Sequence, residues 1–162
     1  MSSKIDELIA QYHSLHNGQP WMGRSFHATW LQINEEVSFS KPIQGAPSIA
    51  QLVDHLTFWR KQALDKIAHG QFEAGDNDPD NWKTNTQLKV EGWNAIRLRY
   101  ASVLKDYLGQ LSQRDDSFLE RTYQDPDFKK DLTYAELLQG VLHHDIYHLG
   151  QIRLILSALS GE

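Results

Sequence analysis

At 162 residues, with 40% hydrophobic residues and a net charge of −5 from 16 Lys+Arg against 21 Asp+Glu, the chain is sized for one domain with a real core. The acidic balance and the lack of a basic tract argue against an electrostatic reader of nucleic acid or of a membrane surface. No apolar run approaches the ~18 residues of a membrane span, and the first residues, Met-Ser-Ser-Lys-Ile-Asp-Glu, hold no apolar signal core. Zero cysteines exclude disulfides, protein thiolates, Fe–S clusters and Cys-type zinc sites and fit a reducing cytoplasm, which leaves eight histidines as the conspicuous carriers of chemistry.

Helical periodicity dominates the chain. Ile5, Leu8, Ile9, Tyr12 and Leu15 step by three and four, predicting an amphipathic helix that ends near Asn17-Gly18. Pro20-Trp21-Met22-Gly23 reads as a turn, after which Phe26, Trp30, Ile33 and Val37 resume helical spacing, with residues 36–40 as an alternative short strand. Pro42, Gly45 and Pro47 break the chain before Ser48, a good N-cap. It opens a helix over residues 48–68 whose stripe is Ile49, Leu52, Val53, Leu56, Trp59, Ala63 and Ile67.

Residues 70–82 are turn-rich and acidic and read as a loop. One long helix is predicted from Thr84 or Thr86 to about Leu111, on the order of 40 Å in length. Residues 113–131 form a second polar connection holding Asp125-Pro126. The last helix, from Thr133 to Ser157 or beyond, has Arg153 as its one Lys or Arg, so most of its circumference is expected to be packed. These elements predict an all-α fold, a single four-helix bundle over residues 1–162 with two long polar connections.

The chemistry concentrates in His143-His144-Asp145-Ile146-Tyr147-His148-Leu149-Gly150-Gln151. His144 and His148, at i and i+4, lie one above the other, close enough to share a metal. Tyr134, Leu137, Val141, His144, His148, Gln151, Ile155 and Leu159 trace the predicted inward stripe, which turns both imidazoles inward and leaves His143 at the rim. A third ligand is expected from His55, the other histidine embedded in the core stripe of a strong helix; His13, His16, His27 and His69 sit near helix ends or on weaker segments. Three neutral imidazoles would hold a divalent ion and leave one to three positions open, an arrangement of the catalytic type. Nitrogen-only ligation suits Zn, Ni, Fe(II), Co or Cu. A metal-free scaffold with hydrogen-bonded histidines is the competing reading.

Other histidine motifs fit less well. Asp145 stands where the general-base Glu of a His-Glu-x-x-His protease would be, which makes it a candidate base or a polar neighbour of the stripe. Di-iron bundles need Glu-x-x-His pairs, and the chain has none. Histidine-aspartate phosphohydrolases need a further downstream Asp, absent after Asp145. Gln151 is placed to bond a ligand imidazole, Tyr147 to reach a substrate or to pack, and Trp59 to wall a pocket or fill the core; Gly150 suggests a close helix–helix approach.

The inward His55 together with the C-terminal His-x-x-x-His-x-Gly-Gln-Ile resembles the DinB/YfiT superfamily of small metal-binding bundles, as do Pro20-Trp21-Met22-Gly23 and Asp54-His55-Leu56-Thr57-Phe58-Trp59. The resemblance implies an up-down-down-up bundle, commonly a homodimer, with His55, His144 and His148 as a metal triad. It also implies a metal-dependent transferase using a low-molecular-weight thiol, a cosubstrate that a chain without cysteine would take from solution. A metal-dependent hydrolase acting on a small molecule and a non-catalytic, metal-stabilised stress-response dimer are the alternatives. Membership in this family does not imply DNA polymerase activity, and neither a nucleic-acid nor a membrane partner is expected.

Overall fold

The computed structural model describes residues 3–70, 74–125 and 128–161, so residues 71–73 of the predicted acidic loop and Pro126 lie outside it. Four long helices form the bundle: α1 (Lys4–Asn17), α4 (Ile49–His69), α6 (Trp93–Leu111) and α8 (Tyr134–Ser160). Short helices α2 (Phe26–Trp30), α3 (Glu35–Phe39), α5 (Asn85–Glu91) and α7 (Asp116–Glu120) lie in the connections, with a hairpin of β1 (Thr122–Asp125) and β2 (Lys130–Thr133). Helix starts follow local chemistry. Capping boxes at Ser3/Asp6, Ser48/Gln51, Thr84/Gln87 and Thr133/Glu136 satisfy backbone donors that open α1, α4, α5 and α8.

Side-chain pairings fix the helix directions. Tyr12 donates to the Leu138 carbonyl and His16 meets Asp145, so α1 and α8 run parallel. The contacts of Tyr12 with Tyr107 and of His16 with Tyr100 make α1 and α6 antiparallel. His55 lies against His148, and Tyr134 donates to the Lys66 carbonyl, so α4 and α8 are antiparallel. Asp54 pairs with Arg99 and Arg114 donates to the Ile67 carbonyl, so α4 and α6 run parallel. The result is the expected up-down-down-up bundle, and the parallel α4–α6 pair is what requires a long crossover.

Five local expectations change. The long helix over residues 84–111 is two helices: Gly92, at φ 81° and ψ 157°, turns the chain between α5 and α6, and Glu35 accepts from the Trp93 N–H at 2.9 Å. The segment from Phe26 to Val37 likewise splits into α2 and α3, with Asn34 capping α3, so residues 36–39 are helical rather than a strand and Ser40 is the extended cap that follows. Residues 113–131 carry α7 and part of an antiparallel hairpin, in which Tyr123 pairs with Leu132. Gly150 is exposed and a Cβ built there would meet nothing within 4 Å, so it marks no close helix approach.

The fifth change is the phase of α8. Its most buried positions are Tyr134, Leu138, Leu142, Asp145, His148, Leu149, Ile152 and Ile155, whereas Leu137, Val141 and His144 are half-buried and Leu159 is exposed. Leu137, Val141 and His144 therefore run along the margin of the core and face a cleft, while His148 is buried one turn on.

At the bundle centre lies a polar cluster. Arg60, wholly buried, donates to both carboxylate oxygens of Asp145 at 2.5 Å and to the Tyr100 hydroxyl at 3.4 Å. His16 donates from Nε2 to Asp145 at 3.1 Å and accepts on Nδ1 from Tyr100 at 3.3 Å. Burial alone would raise the Asp145 pKa; the Arg60 charge and His16 override it and hold the carboxyl below its ordinary value. His16 is thus a buried member of this cluster rather than a peripheral residue.

Candidate metal centre

His55 projects from the second turn of α4, His144 and His148 from the middle of α8. The Nε2 atoms of His55 and His144 are 3.1 Å apart, those of His148 and His144 2.9 Å apart, and one ligand atom from each ring lies within 4.8 Å of the others. The sequence-predicted trio thus comes together. His13, His27, His69 and His143 are exposed.

The far side of each ring explains the convergence. His55 Nδ1 faces two oxygens of Asn81, Oδ1 at 2.7 Å and the backbone carbonyl at 3.2 Å. Both are acceptors, so Nδ1 carries the proton and Nε2 presents a lone pair. His148 Nδ1 lies 2.6 Å from Gln151 Oε1, which sets the same tautomer, and the Gln151 amide donates onward to the Tyr147 hydroxyl at 3.2 Å. Two lone pairs thereby aim at His144 Nε2, which has at most one N–H to offer while neutral. Protonation is the costly alternative. Burial, followed for His144 by the neighbouring His148 and His55, pushes the pKa of His144 down to about 3; burial takes His55 down to about 4 and also lowers His148.

These donors fit a divalent cation. Two imidazole nitrogens each ~2.0–2.1 Å from one ion and roughly at right angles would lie about 3 Å apart, the spacing seen here. Hydrogen bonds from ligand Nδ1–H groups to oxygen acceptors are the usual support of such rings. Trp82 stacks on the His55 ring at 3.9 Å and 15°, closing one face.

Beside the trio opens a cavity of about 500 Å³ between α4, α8 and the hairpin. His55 and His144 line it, with an apolar wall from Trp59, Tyr123, Leu132, Leu137 and Val141. It extends along α4 to Lys66, whose buried ammonium is 2.8 Å from Asp125 and lies over the Tyr123 ring. Asp76 lines the same cavity, and its charge acts on His55.

Of the sequence candidates, Gln151 occupies the expected supporting place and Trp59 walls the cavity. Tyr147 is 62% exposed and packs edge-on to His148 at 4.9 Å. Asp145 does not serve as a base here: at 1% exposure its carboxylate is committed to Arg60 and His16, and it does not line the cavity. Asn81, Trp82 and Asp76 escaped the sequence reading because they sit in a loop without periodicity; the Asn-Trp pair in an otherwise acidic run was the available signal.

Among solved structures, the chain is similar to YfiT from Bacillus subtilis, described as "a probable metal-dependent hydrolase with an unusual four-helix bundle topology". The TM-score is 0.69 and the identity 14%, over 99% of this chain and 91% of that one. No curated protein matches it by sequence. A sequence profile of the DinB superfamily matches residues 21–152, and the chain belongs to that superfamily.

Proposed function

We propose that the protein is a divalent-metal-dependent enzyme that activates a small nucleophile at His55, His144 and His148 and delivers it to an electrophile held in the adjoining cavity. The observation that carries this reading is the convergence of three Nε2 atoms beside a cavity that His55 and His144 line, with Nδ1 of His55 and His148 tied to oxygen acceptors. When bound there, a divalent ion would supply Lewis-acid chemistry, lowering the pKa of a coordinated thiol or water toward neutrality.

The protein's own residues do the rest. Asn81 and Gln151 hold two ligand rings in the tautomer that presents Nε2. Trp82 shields one face of His55, and Trp59, Leu137 and Val141 give the space beside the trio an apolar wall. Asp76, in the same cavity, is the carboxylate on hand to receive the proton of the nucleophile.

A low-molecular-weight thiol is the leading nucleophile. The chain has no cysteine, so transfer chemistry would draw its thiolate from solution. Water is the second, favoured by the description of the structurally similar YfiT. A homodimer, implied by the family resemblance, belongs to the same proposal and is checked by sedimentation equilibrium.

Activated esters and aryl halides, each offered with and without a small thiol to zinc-loaded and chelated protein, test the reading. Turnover that requires metal and disappears in His144→Ala supports it; a thiol requirement selects transfer and thiol independence selects hydrolysis. Protein that binds no stoichiometric divalent ion refutes it.

A further inference from the structure

Asn81 does more than orient an imidazole. It is 4% exposed, and its side chain works at both ends. The amide oxygen takes the His55 Nδ1–H at 2.7 Å, while the amide nitrogen donates to the Asp76 carbonyl at 2.9 Å, five residues back in the loop. A carboxylate at this position would hold the histidine at least as well, since anionic acceptors make the stronger bond. What the amide adds is the N–H donor, and that donor is spent on the loop.

Residues 74–82 are bonded chiefly to themselves. Gly75 accepts from Asp78, the Asp78 carbonyl accepts from Asn81, and the Asp78 carboxylate accepts from the Asp80 N–H. Among the described residues, the hydrogen bonds that tie residues 74–82 to the helices run through Asn81 to His55. The Trp82 ring stacked on the same imidazole is the accompanying apolar contact. The segment so held supplies Asp76 to the cavity lining. Anything that fixes the His55 ring therefore also fixes the acceptor and donor geometry of Asn81, and with it the placement of Asp76.

We propose that Asn81 is a positioning residue that couples cation occupancy at the three histidines to the order of loop 74–82, so that binding the ion sets the cavity wall carrying Asp76. The inference rests on reading the trio as a metal site. Coupling of this kind is reciprocal: ordering the loop raises metal affinity by the same factor by which the metal orders the loop. Two substitutions separate the two ends of the amide. Asn81→Asp keeps a side-chain acceptor for His55 and removes the donor to Asp76, whereas Asn81→Leu removes both side-chain groups and leaves His55 only the backbone carbonyl at 3.2 Å.

Hydrogen exchange of peptides spanning residues 74–84, read with and without zinc in the full chain alongside zinc affinity, tests the proposal. In the wild type, zinc is expected to slow exchange there by about tenfold or more. Asn81→Leu is expected to weaken zinc about 10- to 100-fold, the usual loss when such a partner is removed. Asn81→Asp should restore zinc binding to within a few-fold of wild type while zinc no longer slows exchange at residues 74–80. Unchanged exchange in α1 and α6 certifies the fold of each variant. Wild-type protein that binds zinc without any change at 74–84 overturns the coupling and leaves the metal site standing, as does an Asn81→Asp variant whose loop responds as the wild type does. Wild-type protein that binds no zinc overturns the site itself and the coupling with it.

Discussion

Removing the Asp145 carboxylate should destabilise the fold heavily while leaving metal ligation intact. Arg60 and Asp145 are 0% and 1% exposed, and Arg60 Nε and Nη1 have no hydrogen-bond partner among the described residues, so the guanidinium depends on Asp145 for charge compensation. Deleting one member of a buried ion pair costs about 3–5 kcal/mol, because the survivor stays desolvated and unpaired. The loss of an acceptor for His16 adds to that cost. Asp145→Ala is therefore expected to lower the melting temperature by about 6–20 °C, given roughly 2–4 °C per kcal/mol for a chain of this size. Urea titration gives the free energy directly. The double variant Arg60→Met/Asp145→Leu removes both charges and should recover at least about 2 kcal/mol relative to the sum of the singles. A loss below about 1 kcal/mol in Asp145→Ala, or full stability with abolished zinc binding, would refute the assignment of Asp145 to the structural cluster.

Three further outcomes follow from the same geometry. Zinc at about one hundred times its dissociation constant should stabilise the protein by roughly 2.7 kcal/mol, and His144→Ala should lose most of that shift in a melting scan. Metal-free protein should weaken as pH falls below 6.5. Folded His55 and His144 titrate near 4 and 3, so the folded state binds fewer protons than the unfolded state across that window. Each imidazole removes up to about 1.4 kcal/mol per pH unit until its folded pKa is reached, and a flat melting profile from pH 7 to 5 would contradict this. Gly92→Ala should cost about 1–3 kcal/mol in chemical denaturation, since φ 81° with ψ 157° is a region open essentially to glycine.

The bundle was legible because its signals are local. Ser48 with Gln51, and Thr133 with Glu136, announce helix starts, and the spacing of Leu52, Leu56 and Ala63 gives the buried face of α4. The trio was legible for the same reason: an i,i+4 pair and one core-striped histidine are periodic features. What periodicity could not supply was depth. Leu137, Val141 and His144 share a stripe with Ile155, yet they face a cleft because the hairpin stands off from α8 there.

Long-range pairing was hidden as well. His16 meets Asp145 across 129 residues, so nothing near His16 marks it as a core residue. Asn81 and Asp76 acquire meaning only once loop 74–82 folds against His55. The hairpin was missed because its strands are four residues each, too short for alternation to stand out. Gly92 falls inside the helix predicted from Thr84 or Thr86 to Leu111, and Glu35, the acceptor that starts α6, lies 58 residues before Trp93.

The central claim is tested most directly by an anomalous-scattering map of crystals grown with a divalent metal. The account predicts one peak per chain, ~2.0–2.2 Å from Nε2 of His55, His144 and His148, with at least one coordination position open toward the cavity. A trio left without a peak at saturating metal, or an ion closed off by a fourth protein ligand, would contradict a catalytic metal centre at this site.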